Sequence, residues 1–86
     1  MPLSELVSPG DFEAAFGRAI RLTRETKGMT QAELAARTDR DEETVARIET
    51  GEEALDLGTV VDVAVKGLGV RFGEVFHLVD QFLGRP

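Results

Sequence analysis

Nucleophilic catalysis needs a hydroxyl or thiol beside a base, and a structural metal site needs three or four ligands at set spacing. The 86-residue chain has no cysteine, which excludes a thiolate metal site, a disulfide framework and a cysteine nucleophile. Its single histidine, His77, stands between Phe76 and Leu78 and reads as an ordinary packed or surface residue. Ser4 and Ser8 have no base within the local sequence, and Gly67-Leu68-Gly69 lacks the preceding strand and the Lys-Ser/Thr ending of a phosphate loop. The expectation is therefore a protein that is not an enzyme, with no cofactor and no metal. The remaining chemistry lies in two short polar runs, Thr30-Gln31-Ala32-Glu33 and Asp41-Glu42-Glu43-Thr44, the second followed by Arg47.

Charge narrows what those runs could bind. Sixteen acids against ten bases give a net charge of −6, so bulk charge alone draws no phosphate and a nucleic-acid face must be a local basic patch. The charges are segregated: residues 18–37 hold five bases and two acids, and residues 39–53 hold seven acids and two bases. Apolar residues at 42% and charged residues at 30% are proportions of a folded domain. The most apolar stretch, 60–70, is interrupted by Asp62 and Lys66 and is short of the roughly 20 residues of a membrane span. The opening MPLSELVSPG has neither the basic nor the apolar region of a secretory signal. With no cysteine, a cytoplasmic protein that meets no membrane is expected.

The elements that must position the two runs are all helical. Residues 1–10 read as an arm, and 11–83 as one domain. Ser8 is a candidate N-cap with Pro9 at the first helical position. Phe12, Phe16 and Ile20, at 3–4 spacing, predict a first helix over 11–27, stopped by Gly28. Thr30 and Glu33 form a capping box for a second helix over 31–37. Asp41 caps a third over 42–50, with Val45 and Ile48 inward and Gly51 as the stop. A fourth, about 57–67, is given Val60, Val61, Ala64 and Leu68 as its inner stripe. A fifth, about 71–83, carries Phe72, Val75, Phe76, Val79, Phe82 and Leu83. No run alternates in the period of a strand, so the fold class is all-α with five helices.

Two short, separately capped helices joined by about four residues have the form of a helix-turn-helix. Three segments sharpen this: Ile20-Arg21-Leu22-Thr23-Arg24, Gly28-Met29-Thr30-Gln31-Ala32-Glu33-Leu34-Ala35 and Thr44-Val45-Ala46-Arg47-Ile48-Glu49-Thr50-Gly51. With Leu57, Val60, Ala64, Leu68-Gly69-Val70 and Val75-Phe76, they closely resemble the phage-repressor-like (Cro/XRE-type) helix-turn-helix family over about residues 16–76. The resemblance implies a lambda-repressor-like domain that binds double-stranded DNA, usually as a homodimer and usually as a transcriptional regulator. It places the third helix in the major groove and the second with its N-terminus toward a phosphate. It assigns Thr30 and Gln31 to backbone or base contact, and Glu42, Glu43, Thr44 and Arg47 to base reading. Lys27, Arg37 and Arg40 become candidate phosphate contacts, and Arg24 and Glu49 a structural salt bridge. The chain departs from the family in having Asp39 where Gly is common, Arg40 where an apolar residue is common, and Asp41 where Ser is common.

The acidity of the third helix has three readings. Glu42 and Glu43 could accept hydrogen bonds from cytosine N4. They could instead stabilise the helix through its dipole, by about 0.3–1 kcal/mol each. Or DNA binding has been lost and the helix meets a basic protein partner, as an adaptor or antitoxin-like module. At the other end of the domain, Leu78, Val79, Phe82 and Leu83 form an apolar stretch expected to be a two-fold dimer interface, unless Leu3, Leu6 and Val7 of the arm cover it.

Overall fold

The structure, a computed structural model, describes residues 10–84. Its elements are α1 (Asp11–Thr26), α2 (Gln31–Arg37), α3 (Glu42–Thr50), α4 (Leu57–Val61), which runs on as a π-helical segment over Asp62–Gly67, and α5 (Phe72–Phe82). Helix α1 opens at Gly10, which takes a left-handed φ of 91° and provides no side-chain cap. The cap expected from Ser8 lies outside the described residues, as do the arm contacts of Leu3, Leu6 and Val7. Side chains cap α2, α3 and α4, namely Thr30 with Glu33, Asp41 with the Thr44 N–H at 2.7 Å, and Asp56 with the Thr59 N–H at 2.7 Å, whereas Arg71 at the start of α5 makes no side-chain cap. Each of the three caps satisfies a donor that a helix start leaves orphaned.

The core is drawn from every helix. Phe16 and Ile20 of α1, Leu34 of α2, Val45 and Ile48 of α3, Val63 and Leu68 from the fourth helix, and Val75 of α5 are fully buried. Phe12 stacks on Phe16 at 5.9 Å and lies 6.2 Å from Phe76, and Phe76 meets Phe72 edge-on at 4.4 Å, so aromatic rings tie α1 to α5.

Two glycines let the helices of the site approach. A Cβ on Gly17 would overlap the carbonyl oxygen of Ile48 and stand 2.7 Å from that of Glu49, so α1 and α3 pack backbone on backbone there. This crossing brings Glu49 beside Arg24, seven residues along α1. A Cβ on Gly67 would stand 2.6 Å from Cδ1 of Leu34 and 2.8 Å from Cγ2 of Thr38, which seats the π segment against α2. In the turn between α2 and α3, Asp39 adopts φ 54°. That is the left-handed conformation that favours glycine, and Asp is among the side chains that tolerate it.

The inner stripe of the fourth helix differs from the expectation at one position. Val61 is 39% exposed and Val63 is buried, because the buried row runs through Val60, Val63, Ala64, Gly67 and Leu68. That row has the spacing of a single helix face, and Val61 lies outside it.

Candidate nucleic-acid interface

The centre of the site is a buried ion pair. Arg24 donates from Nε to Oε2 of Glu49 at 2.6 Å and from Nη2 to Oε1 at 2.9 Å, a two-pronged contact across α1 and α3. Its remaining terminal nitrogen, Nη1, donates to the Met29 carbonyl at 2.8 Å. Glu49 also accepts from Nε2 of Gln31 at 2.9 Å, so the first residue of α2 joins the same network. The hydrogen bonds to Glu49 raise the pKa of Arg24 further above its ordinary value. Three side chains from three helices, with the Met29 carbonyl of the turn between α1 and α2, are thereby locked in one geometry, and the network orients α2 against α3.

Above it runs an open groove lined by Arg21, Arg24, Met29, Thr30, Gln31 and Glu42. The starts of α2 and α3 thus face a common space, with the end of α1 beside them. Gln31 spends one amide N–H on Glu49 and keeps its carbonyl oxygen and second N–H for a ligand. Thr30 accepts from the Glu33 N–H at 3.0 Å and retains its own hydroxyl proton, while its backbone N–H donates to Oε1 of Glu33 at 2.9 Å. Hydrogen bonding from Thr30, its backbone N–H first and its side chain second, holds the Glu33 carboxyl below its ordinary value. Hydrogen bonding from the Thr44 side chain and backbone does the same to Asp41. Lys27 and Arg37 are exposed at the ends of α1 and α2, and Glu42 and Glu43 are exposed at the start of α3.

Both arginines of the turn and α3 among the expected DNA contacts are already engaged within the protein. Arg40 donates from Nη1 to Oδ2 of Asp62 at 2.6 Å and to the Thr38 carbonyl at 3.0 Å, which ties the turn to the π segment. Arg47 donates from Nε to Glu53 at 3.0 Å and from Nη2 to the Thr44 hydroxyl at 3.2 Å, and its Nη1 lies 3.0 Å from a Glu43 oxygen. Its pKa is raised, chiefly by the bond to Glu53. Arg21 and Glu53 are the residues that sequence reasoning left out of the site. Arg21 was visible on the outer face of α1, whereas Glu53 sits in a loop whose direction no local signal gives.

The expected dimer residues divide. Val79 is 2% exposed and belongs to the core of its own domain, because its position on α5 shares the buried face of Val75. Leu78, Phe82 and Leu83 are partly buried against that core, and the guanidinium of Arg18 lies 4.3 Å over the Phe82 ring. Leu22 at 44% and, along the fourth helix, Leu57 at 71%, Val61 at 39% and Val65 at 45% expose more apolar surface. Among the described residues no group of three or more His, Asp or Glu side chains could hold a metal ion, and no helix is long and apolar enough to cross a membrane.

Comparison with known proteins agrees with this geometry. The profile of a helix-turn-helix domain family matches residues 15–75. Among solved structures, the clp gene regulator ClgR from C. glutamicum aligns with a TM-score of 0.77 at 24% identity, over 81% of this chain and 90% of that one. The restriction-modification controller protein C.AhdI from Aeromonas hydrophila aligns at 0.67 and 27% identity, over 73% and 94%. A third, the controller protein C.Esp1396I as a tetramer on its natural 35 base-pair operator, aligns at 0.77 and 24% identity, over 86% and 96%. No curated protein matches the chain.

Proposed function

The chain belongs to the helix-turn-helix domain family, and from that premise we infer that it is a sequence-specific DNA-binding transcriptional regulator acting as a homodimer. The observation that carries the reading is the shared groove at the starts of α2 and α3, held in register by the Arg24–Glu49–Gln31 network. Helix α3 enters the major groove and offers Thr44 and Arg47 to base edges, with Glu42 and Glu43 facing cytosine amino groups or flanking the contact. Thr30, Gln31, Lys27 and Arg37 meet the phosphate backbone. Arg21, which lines the same groove, joins them, and Arg40 contributes by fixing the turn through Asp62. A solved structure of similar fold holds its operator as a tetramer. We place the dimer seam of this chain on its exposed apolar row, Leu57, Val61 and Val65, with Leu78, Phe82 and Leu83 as the second candidate. The protein acts in the cytoplasm as a binding protein rather than an enzyme.

The test is recovery of bound fragments from the host genome at two salt concentrations. The reading expects a recurring, two-fold-related sequence with half-sites about 34–36 Å apart. It also expects affinity that falls with salt at a log–log slope of about −0.9 per phosphate neutralised. A second reading rests on the exposed carboxylates of Glu42 and Glu43: an interaction module meeting a basic protein. Stoichiometric recovery of a protein partner, unaffected by nuclease and without any enriched DNA, favours it.

A further inference from the structure

Resting on the DNA-binding reading above, we propose that Glu53 is a positioning residue that sets the base preference of Arg47. A guanidinium has five N–H donors. In Arg47 the Nε donor is taken by Glu53 at 3.0 Å, one Nη2 donor by the Thr44 hydroxyl at 3.2 Å, and Nη1 pairs with Glu43 at 3.0 Å. At least one N–H is left on each terminal nitrogen, and a guanidinium that presents both terminal nitrogens can bridge O6 and N7 of a guanine. With the Nε edge occupied, the side chain can present only its end.

Glu53 and Glu43 differ in how they are held. Glu43 is a neighbour one turn back on α3, with its side chain 81% exposed. Glu53 comes from the loop beyond α3 and is 33% exposed. The loop is directed back over the helix by the left-handed Gly51, by the Glu52 N–H on the Arg47 carbonyl at 2.9 Å, and by Thr50 donating to Glu52 at 2.9 Å. An ion pair this exposed contributes little to folding. Its effect falls on where the Arg47 charge points and on how strongly that charge attracts phosphate of any sequence. Paired with Glu53, Arg47 has less pull on a random backbone; without Glu53 it keeps only the Thr44 hydroxyl and the exposed Glu43, so its charge turns more freely and attracts phosphate of any sequence.

The experiment selects duplexes from a library with a randomised centre, using the wild-type protein. It then measures the selected duplex, an unselected duplex, and the selected duplex with single G·C pairs changed to A·T. Arg47→Ala identifies the pair that Arg47 reads. Glu53→Gln is expected to lower discrimination at that same pair roughly tenfold, to bind the unselected duplex more tightly with a steeper salt dependence, and to melt at the wild-type temperature. In the Glu53→Gln/Arg47→Ala protein, discrimination should equal that of Arg47→Ala alone. Wild-type discrimination in Glu53→Gln, or a further loss in the double variant, overturns the proposal while leaving DNA binding intact. If the wild-type protein selects no sequence, the DNA-binding reading fails first and the proposal with it.

Discussion

Substitution of Glu49 by alanine should be among the most damaging single changes in the domain. The Glu49 side chain is 2% exposed and accepts three hydrogen bonds, two from Arg24 and one from Gln31. Removing it leaves the Arg24 guanidinium, 10% exposed, with the Met29 carbonyl but without a counter-charge. Losing one partner of a buried pair costs about 3–5 kcal/mol, much of it from the stranded charge. Domains of this size are stable by roughly 5–15 kcal/mol in total, so the variant should be near the edge of folding. At about 4–8 °C per kcal/mol, the melting temperature should drop by at least about 12 °C. Urea melts at fixed protein concentration measure this directly, since dimerisation couples stability to concentration. The Arg24→Met/Glu49→Leu double variant should recover much of the loss, because no charge is then left buried. Wild-type stability in Glu49→Ala would refute the reasoning.

Three further outcomes follow from the packing and the caps. Gly17→Ala forces a methyl into the Ile48 carbonyl and should destabilise by at least about 1–3 kcal/mol in the same melts, with the two backbones pushed apart. Hydrogen bonds depress the folded-state pKa of Glu33, Asp41 and Asp56 below their ordinary values of 4.5, 3.8 and 3.8, so their stabilisation is complete above those values and is lost as pH falls through the depressed ones. Thermal melts should therefore decline below about pH 4, and less steeply in Asp41→Asn/Asp56→Asn, since asparagine caps without titrating. Sedimentation should give a dimer that Val61→Glu converts to monomer, with a melting temperature that no longer depends on protein concentration; dissociation by Leu78→Glu instead would move the seam to α5.

What the sequence could and could not reveal follows from the range of each signal. The caps at Thr30, Asp41 and Gly51 act within four residues, so the two helices of the helix-turn-helix were readable to the residue. The Arg24–Glu49 pair spans 25 residues and became readable only through resemblance to a family. Val61 and Val63 are equally apolar, and their helix has apolar residues on both sides, so periodicity alone did not single out the inward one. Val79 lies in an apolar run that serves both core and surface, and composition cannot divide it. Gly17 announces nothing until a partner backbone is known to cross there. The engagement of Arg47 by Glu53 depends on the path of the loop after Gly51, which is fixed by hydrogen bonds of Thr50 and Glu52 that no residue pattern announces.

The account rests on contact between duplex DNA and the starts of α2 and α3. Titrating isotope-labelled protein with a selected duplex, and following backbone amide resonances, tests this most directly. The largest shifts are expected on Thr30, Gln31, Glu42, Thr44 and Arg47, with little change along the exposed face of α4. Shifts concentrated on another surface, with α2 and α3 unmoved at saturation, would contradict it.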